Sequence, residues 1–242
     1  ALFVGAVAHY RKIDLRGVRR GLLTLRALSG TISLVMVFYA YTRMSTAAAM
    51  LLNQMAPVFM VPLAVVFLKE RTSAVHIALV LVAFAGVGLV LKPDFRQLNT
   101  PGLLALLSAF FAAVAYLLVR RLTATEHPLT IVFWFSTLSA LFVLPWVFDE
   151  LLLSSGRALM LVLLVGLLGA AGQVLLTEGY RLGEAGKLAV VGSMASIFCV
   201  LWDWLLFNLL PDLWTAAGGM IVIVSCAAIQ VLRHERSDRI GT

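Results

Sequence analysis

Charge is scarce in this chain. Asp, Glu, Lys and Arg make up 13% of its 242 residues, against about a quarter in a soluble domain. Cysteine is nearly absent. Cys199 and Cys226 both lie inside apolar runs, so they read as small packing residues and not as a disulfide or a metal site. Seven prolines and 18 glycines are too few for a collagen-like or low-complexity chain. There is no phosphate-cradling loop, no His-Glu-x-x-His helix and no Cys/His cluster, so no cofactor, metal or enzymatic role is implied. The missing phosphate loop also argues against an ATPase built into this chain. What remains is apolar: 62% hydrophobic residues and a mean hydropathy of +0.99. That composition excludes a soluble enzyme and a disordered tail, and it points to a membrane protein.

Eight segments are long enough to cross a bilayer, which takes about 20 apolar residues each. They cover 22–41, 46–68, 74–91, 101–119, 129–148, 158–180, 187–209 and 213–232. Runs such as Leu161 to Val165 are continuously apolar. A membrane β-barrel would alternate instead. Helices are the other way to satisfy every backbone group in lipid, so the expected fold class is an all-α polytopic membrane protein. Residues 1–8 are apolar but too short to cross, and the basic run from His9 to Arg20 follows directly. A signal peptide carries its basic residues first. The expected reading is the tail of a further helix whose start is missing.

The net charge of +7 does not imply nucleic acid, because the basic residues sit between apolar segments. Their distribution instead sets orientation. With the 9–20 loop placed in the cytoplasm, 15 of the 19 Lys and Arg residues fall on that side. The other side keeps Arg43, Lys92, Arg96 and Arg157. The positive-inside rule therefore predicts a cytoplasmic C-terminus and location in the cell (inner) membrane. Arg26, at the edge of its span, is expected to snorkel to the cytoplasm. Trp146, Phe148 and Trp214 suit an aromatic belt on the outer side.

A weak internal repeat appears at a shift of 139 residues. It places Tyr41 on Tyr180, Phe59 on Phe198, span 46–68 on 187–209, and span 74–91 on 213–232. The superposed spans run in opposite directions, as in the inverted repeats of many secondary transporters.

The residues from Arg26 to Pro93 carry a family resemblance. Ala56-Pro57-Val58-Phe59, then Leu68-Lys69-Glu70-Arg71, then Gly86-Val87-Gly88 resemble the EamA domain of the drug/metabolite transporter superfamily. Thr100 to Leu122 is similar to the first helix of a second copy. The resemblance implies ten helices in two inverted five-helix repeats, with both termini cytoplasmic. On that basis residues 1–93 form the first repeat, lacking its first helix and most of its second. Residues 100–233 form a complete second repeat, and 234–242 a cytoplasmic tail. The second copy has Ser196-Ile197-Phe198 where the first has Pro57-Val58-Phe59, and it lacks the Lys-Glu-Arg ending.

Asp203 is the leading pathway candidate. It lies roughly 7–8 Å from the middle of span 187–209 at helical rise. A charge at mid-membrane costs about 2.5–3.5 kcal/mol, so it needs a cavity or a partner. Gly192, Ser196, Cys199 and Asp203 share one face of an otherwise bulky helix. The repeat maps them onto Asn53, Pro57, Met60 and Ala64. Asn53 and Gln54 are polar in a span, and Pro57 and Pro62 each free a carbonyl. Gln173 reads equally well as bonding substrate or another helix; Tyr39, Tyr116 and Trp134 complete the candidates, although aromatics at helical spacing more often pack. Glu178 reads as a solvated or Arg181-paired boundary residue in preference to a proton carrier. Gly166 with Ala170, and Ala109 with Ala113, read as close helix contacts.

These features describe a carrier that moves a small metabolite or drug by alternating access through a central cavity. Asp203 would bind a cationic group or carry a coupling proton. A lipid-carrier flippase and a non-transporting scaffold subunit are the rival readings. Expected partners are the small-molecule substrate and membrane lipid, with no nucleic acid. Either a monomer or a homodimer is compatible with the composition.

Overall fold

The computed structural model describes residues 1–68, 74–91, 100–152, 155–182, 198–206, 208 and 210–240. All regular structure among them is helical. In chain order the helices are α1 (Leu2–Tyr10), α2 (Arg20–Tyr41), α3 (Thr46–Asn53), α4 (Ala56–Leu68), α5 (Ala74–Leu91), α6 (Thr100–Leu122), α7 (Pro128–Leu152) and α8 (Gly156–Leu182). Residues 198–206 form α9, and α10 is Leu213–Ile240. Five stretches are long and apolar enough to cross a membrane: Arg20–Tyr41, Thr46–Leu63, Thr100–Leu122, Pro128–Asp149 and Gly156–Leu182. Ile77–Val90 and Leu213–Ile229 are shorter apolar helices. Much of the expected span 187–209 lies outside the described residues, as does Ser196.

Span 46–68 is not one helix. It breaks between α3 and α4 at Gln54 and Met55. Pro57 has no N–H for the Asn53 carbonyl. The Val58 N–H then donates to Met55 at 2.9 Å, which leaves the Gln54 carbonyl outside the helical ladder. Pro62 continues inside α4 and removes one more bond.

The chain divides into two compact units, and each draws helices from both halves of the sequence. The first comprises Ala1–Thr31 and Leu118–Gly183. In it, α1 packs on α7, and α7 on α8. Val4, Ala8, Leu129 and Val132 form one buried cluster, while Leu23, Val119, Leu122 and Ile131 form another. Pro128 opens α7, where a missing N–H costs nothing.

The second unit comprises Ile32–Leu117 and Glu184–Thr242. Its spine is the pair α5 and α10. A Cβ on Gly218 would stand 2.5 Å from the Gly86 oxygen and 2.9 Å from the Val90 nitrogen. Glycine at both positions is what lets the two backbones touch, the usual device where lipid gives no hydrophobic drive. Leu52, Met55, Val58, Ala83 and Val222 close the core around that crossing. Ala109 and Ala113 are fully buried, as expected of a close contact. Gly166 differs: a Cβ there would meet nothing within 4 Å among the described residues. Ala170, its expected pair, packs on the cluster of Val4, Ala8, Leu129 and Val132.

Candidate functional site

In the second unit, α9 buries its polar residue and exposes its bulky ones. Asp203 is 4% exposed, whereas Trp202, Trp204, Leu205 and Leu206 face outward. The first turn of α3 explains where the carboxylate goes. The four leading N–H groups of a helix have no partner within it. Ser45 is the N-cap, and its hydroxyl accepts from the Ala48 N–H at 3.3 Å. Asp203 Oδ2 accepts from the Ala47 N–H at 2.9 Å. The anion thus sits at the positive end of the α3 dipole and satisfies an orphan donor. Cys199, one turn earlier on α9, is half-buried.

At the other end of α3, Asn53 enters a second polar group. Its Nδ2 donates to Ser108 Oγ at 2.8 Å. Ser108 Oγ donates onward to the Ala105 carbonyl at 2.6 Å, and Ser33 Oγ donates to the Ser108 carbonyl at 2.8 Å. The carbonyl of Gln54, freed by the helix break, accepts from the Cys226 thiol at 3.2 Å. Cys226 is buried and Cys199 half-buried, both as thiols. Pro57 is half-buried in the α4 turn beside the break. Tyr116 packs on Ala56, Met60, Ala112 and Ala113. Tyr39 is exposed, with the Arg43 guanidinium 5.8 Å above its ring. Asp203, Asn53, Gln54 and Pro57 therefore gather along the broken α3–α4 segment. Tyr39 stands apart from them on α2.

The first unit holds the remaining candidates in other roles. Gln173 Oε1 accepts from Arg26 Nη2 at 2.9 Å. Arg26 is 2% exposed, and its guanidinium lies 4.1 Å over the Phe135 ring. The expected snorkelling is therefore corrected. Gly30, one turn along α2, lacks the Cβ that Arg26 Nη1 and Phe135 would strike, and this room turns the side chain inward. Trp134 Nε1 donates to the Leu15 carbonyl at 2.9 Å and packs on Leu23 and Ile131, which ties a loop to α7. Glu178 pairs with Arg181 at 2.9 Å, as the sequence suggests.

Sequence reasoning passed over Ser108, Ser33 and Glu126. Ser108 is a lone hydroxyl inside an apolar run, and that interruption was the available signal. Glu126 is buried and accepts from the Val18 and Arg19 N–H groups at 2.7 and 2.6 Å. In a chain with 12 acidic residues, an acid beside a span end invited the same attention. His127, outside the spans, has its pKa lowered by burial, with Arg181 and Arg11 adding to the effect and Glu178 opposing it. No group of three or more metal-ligating side chains occurs among the described residues.

A family model described as the EamA-like transporter family matches residues 1–92 and 100–231. The pseudopaline exporter CntI of Pseudomonas aeruginosa is 32% identical over 210 residues, covering 86% of this chain and 74% of the exporter. Solute carrier family 35 member G1 of Mus musculus is 27% identical over 242 residues, covering 93% of this chain and 66% of that protein. A riboflavin transporter of Rhizobium johnstonii is 30% identical over 197 residues, 77% of this chain and 62% of its own length. One solved crystal structure, 21% identical, aligns with a TM-score of 0.58 over 96% of this chain and 83% of its own, and that likeness concerns fold alone. Matched along nearly its whole length, this all-helical, multi-pass membrane chain belongs to the EamA-like transporter family.

Proposed function

We propose that the chain is a secondary carrier moving a small organic solute across the cytoplasmic membrane by alternating access, with its C-terminus in the cytoplasm. The observation that carries this reading is the broken α3–α4 segment. Polar side chains and the Gln54 carbonyl, which accepts from the Cys226 thiol instead of from its own helix, are gathered on it within the apolar part of the chain, and a buried carboxylate holds its outer end. Discontinuous helices of this kind form solute and ion sites in transporters, because half-helix ends present unpaired dipoles inside the membrane. The solute would pass along Asp203, Asn53, Gln54 and Pro57, which Ser196 would join on the strength of the sequence repeat alone. Asp203 would meet a cationic group or carry the coupling proton. Tyr116, packed on Ala56 and Met60 of α4, would shape the path beside them.

The relatives support the reading at the level of class: one exports pseudopaline and another transports riboflavin, both organic solutes. The test is counterflow in proteoliposomes carrying the full-length protein. The expected result is saturable exchange of one class among labelled amino acids, nucleosides, vitamins and polyamines. Absence of exchange for every class, with folded protein in the bilayer, would overturn the reading.

A further inference from the structure

The loop between α1 and α2, residues 11–19, is held down along its length. Ile13 and Leu15 point into the cluster of Val4, Ala8, Leu129 and Val132. Thr130 Oγ1 donates to the Asp14 carbonyl at 3.0 Å, and Trp134 holds the Leu15 carbonyl. Gly17 has a φ of +68°, and any Cβ there would strike Leu23. Glu126 then accepts from the next two N–H groups, Val18 and Arg19. Every second residue is thus turned inward, and the intervening ones are turned out.

Apart from Asp14 and Val18, the outward residues are cations. Arg11, Lys12, Arg16, Arg19 and Arg20 are all exposed. No carboxylate pairs with them among the described residues. Glu126 is spent on the backbone, and Asp14 Oδ1 accepts from the Arg16 N–H at 2.9 Å. Arg19 and Arg20 also stand at the positive end of α2, where a cation is disfavoured and an anion favoured. Between the cations lie bare apolar side chains: Tyr10 is 89% exposed and Val18 is 82% exposed. Because α2 begins at Arg20 and is long enough to cross the bilayer, this rim lies at headgroup depth. Cations interleaved with apolar side chains at that depth match a lipid surface better than an acidic protein or a polynucleotide.

We propose that the pinned 11–19 loop is a binding site for the phosphodiester headgroups of anionic phospholipids in the leaflet it faces. Arg16, Arg19 and Arg20 engage the phosphate, and Tyr10 and Val18 enter the glycerol and upper acyl region. The loop is rigid before the lipid arrives, so ordering it costs little at binding.

The experiment counts lipids retained by the full-length protein in native mass spectrometry after delivery from vesicles of phosphatidylglycerol mixed with phosphatidylcholine. A basic residue near an anionic leaflet weights occupancy roughly fivefold. Arg16→Gln combined with Arg19→Gln and Arg20→Gln is therefore expected to cut the phosphatidylglycerol preference by at least about tenfold. Arg43→Gln with Arg157→Gln, on other loops, is expected to leave it unchanged. Equal loss in both variants would reduce the effect to net charge and overturn the site. Should the triple variant not fold, the wild-type protein decides: its preference is expected to vanish near 1 M salt, where screening falls to about 3 Å. A preference that persists there would overturn the proposal. So would displacement of the lipid by glycerol phosphate at equal concentration, which would make the site one for a soluble phosphate.

Discussion

Asp203 joins a structural role to a proposed transport role, and two substitutions separate them. Asp203→Asn keeps an oxygen where Oδ2 accepts from the Ala47 N–H but removes the charge. Asp203→Ala removes both. A hydrogen bond to a charged acceptor contributes about 1.5–3 kcal/mol and one to a neutral acceptor about 0.5–1.5, so the Asn variant loses roughly 1 kcal/mol. The Ala variant leaves a buried N–H unsatisfied, at about 2–3 kcal/mol. Ser45 still holds the adjacent Ala48 N–H, so α3 does not unravel. For a chain of this size 1 kcal/mol moves Tm by about 2–4 °C, which places the Asn variant about 2–4 °C below wild type and the Ala variant about 4–12 °C below. Thermal unfolding in detergent reads these shifts, and proteoliposome counterflow reads transport. The Asn variant is expected to be nearly as stable as wild type yet deficient in transport or uncoupled from the proton. Wild-type transport with unchanged pH dependence in Asp203→Asn would refute the pathway role. Wild-type stability in Asp203→Ala would refute the helix-capping geometry.

Two further outcomes test other parts of the molecule. Gly218→Ala places a methyl group against the backbone of α5, which cannot move aside as a side chain can, and is expected to cost about 1–3 kcal/mol. Gly88→Ala meets open space and is expected to be neutral or to stabilise by up to about 1 kcal/mol; equal thermal shifts for the pair would show that α5 and α10 do not touch at Gly86 and Gly218. His127 is held below the ordinary histidine value of 6.5 by burial, and its Nδ1 accepts from the Leu129 N–H at 3.2 Å. Its folded state favours the neutral ring, so the unfolded chain binds the proton first as pH falls. Stability is thus expected to be intact above pH 6.5 and to decline as pH drops through and below that value, whereas His127→Gln flattens the decline; parallel pH curves for wild type and variant would contradict this.

The class of the protein was written in its composition. Hydropathy is a local property, and lipid leaves the backbone little choice but helix, so α2, α6, α7 and α8 follow from runs of apolar residues. The motif from Ala56 to Phe59 and the run through Gly86 carried the family. Pairing of Glu178 with Arg181 was also legible, because three residues apart on a helix is a fixed distance.

Partner choice across the chain was not legible. Asp203 stood out as a polar residue in a bulky helix, but nothing local said that its partner is the backbone of Ala47. Asn53 meets Ser108, the thiol of Cys226 meets the carbonyl of Gln54, and Arg26 meets Gln173. Each of these pairs is separated by at least 55 positions, so only folding brings them together. The proline pattern announced missing hydrogen bonds, yet where α3 would stop depended on Met55 taking the Val58 N–H. Arg26 shows the division most plainly. Its place at a span edge predicts an outward cation, and the space left by Gly30 beside the Phe135 ring decides that it turns inward. The sequence by itself determined that the chain is helical and lies in a membrane, because those depend on each segment's own transfer from water to lipid. The tertiary structure decided which polar groups satisfy one another, because an unpaired polar group in that medium is costly and its partner is set by packing between distant helices.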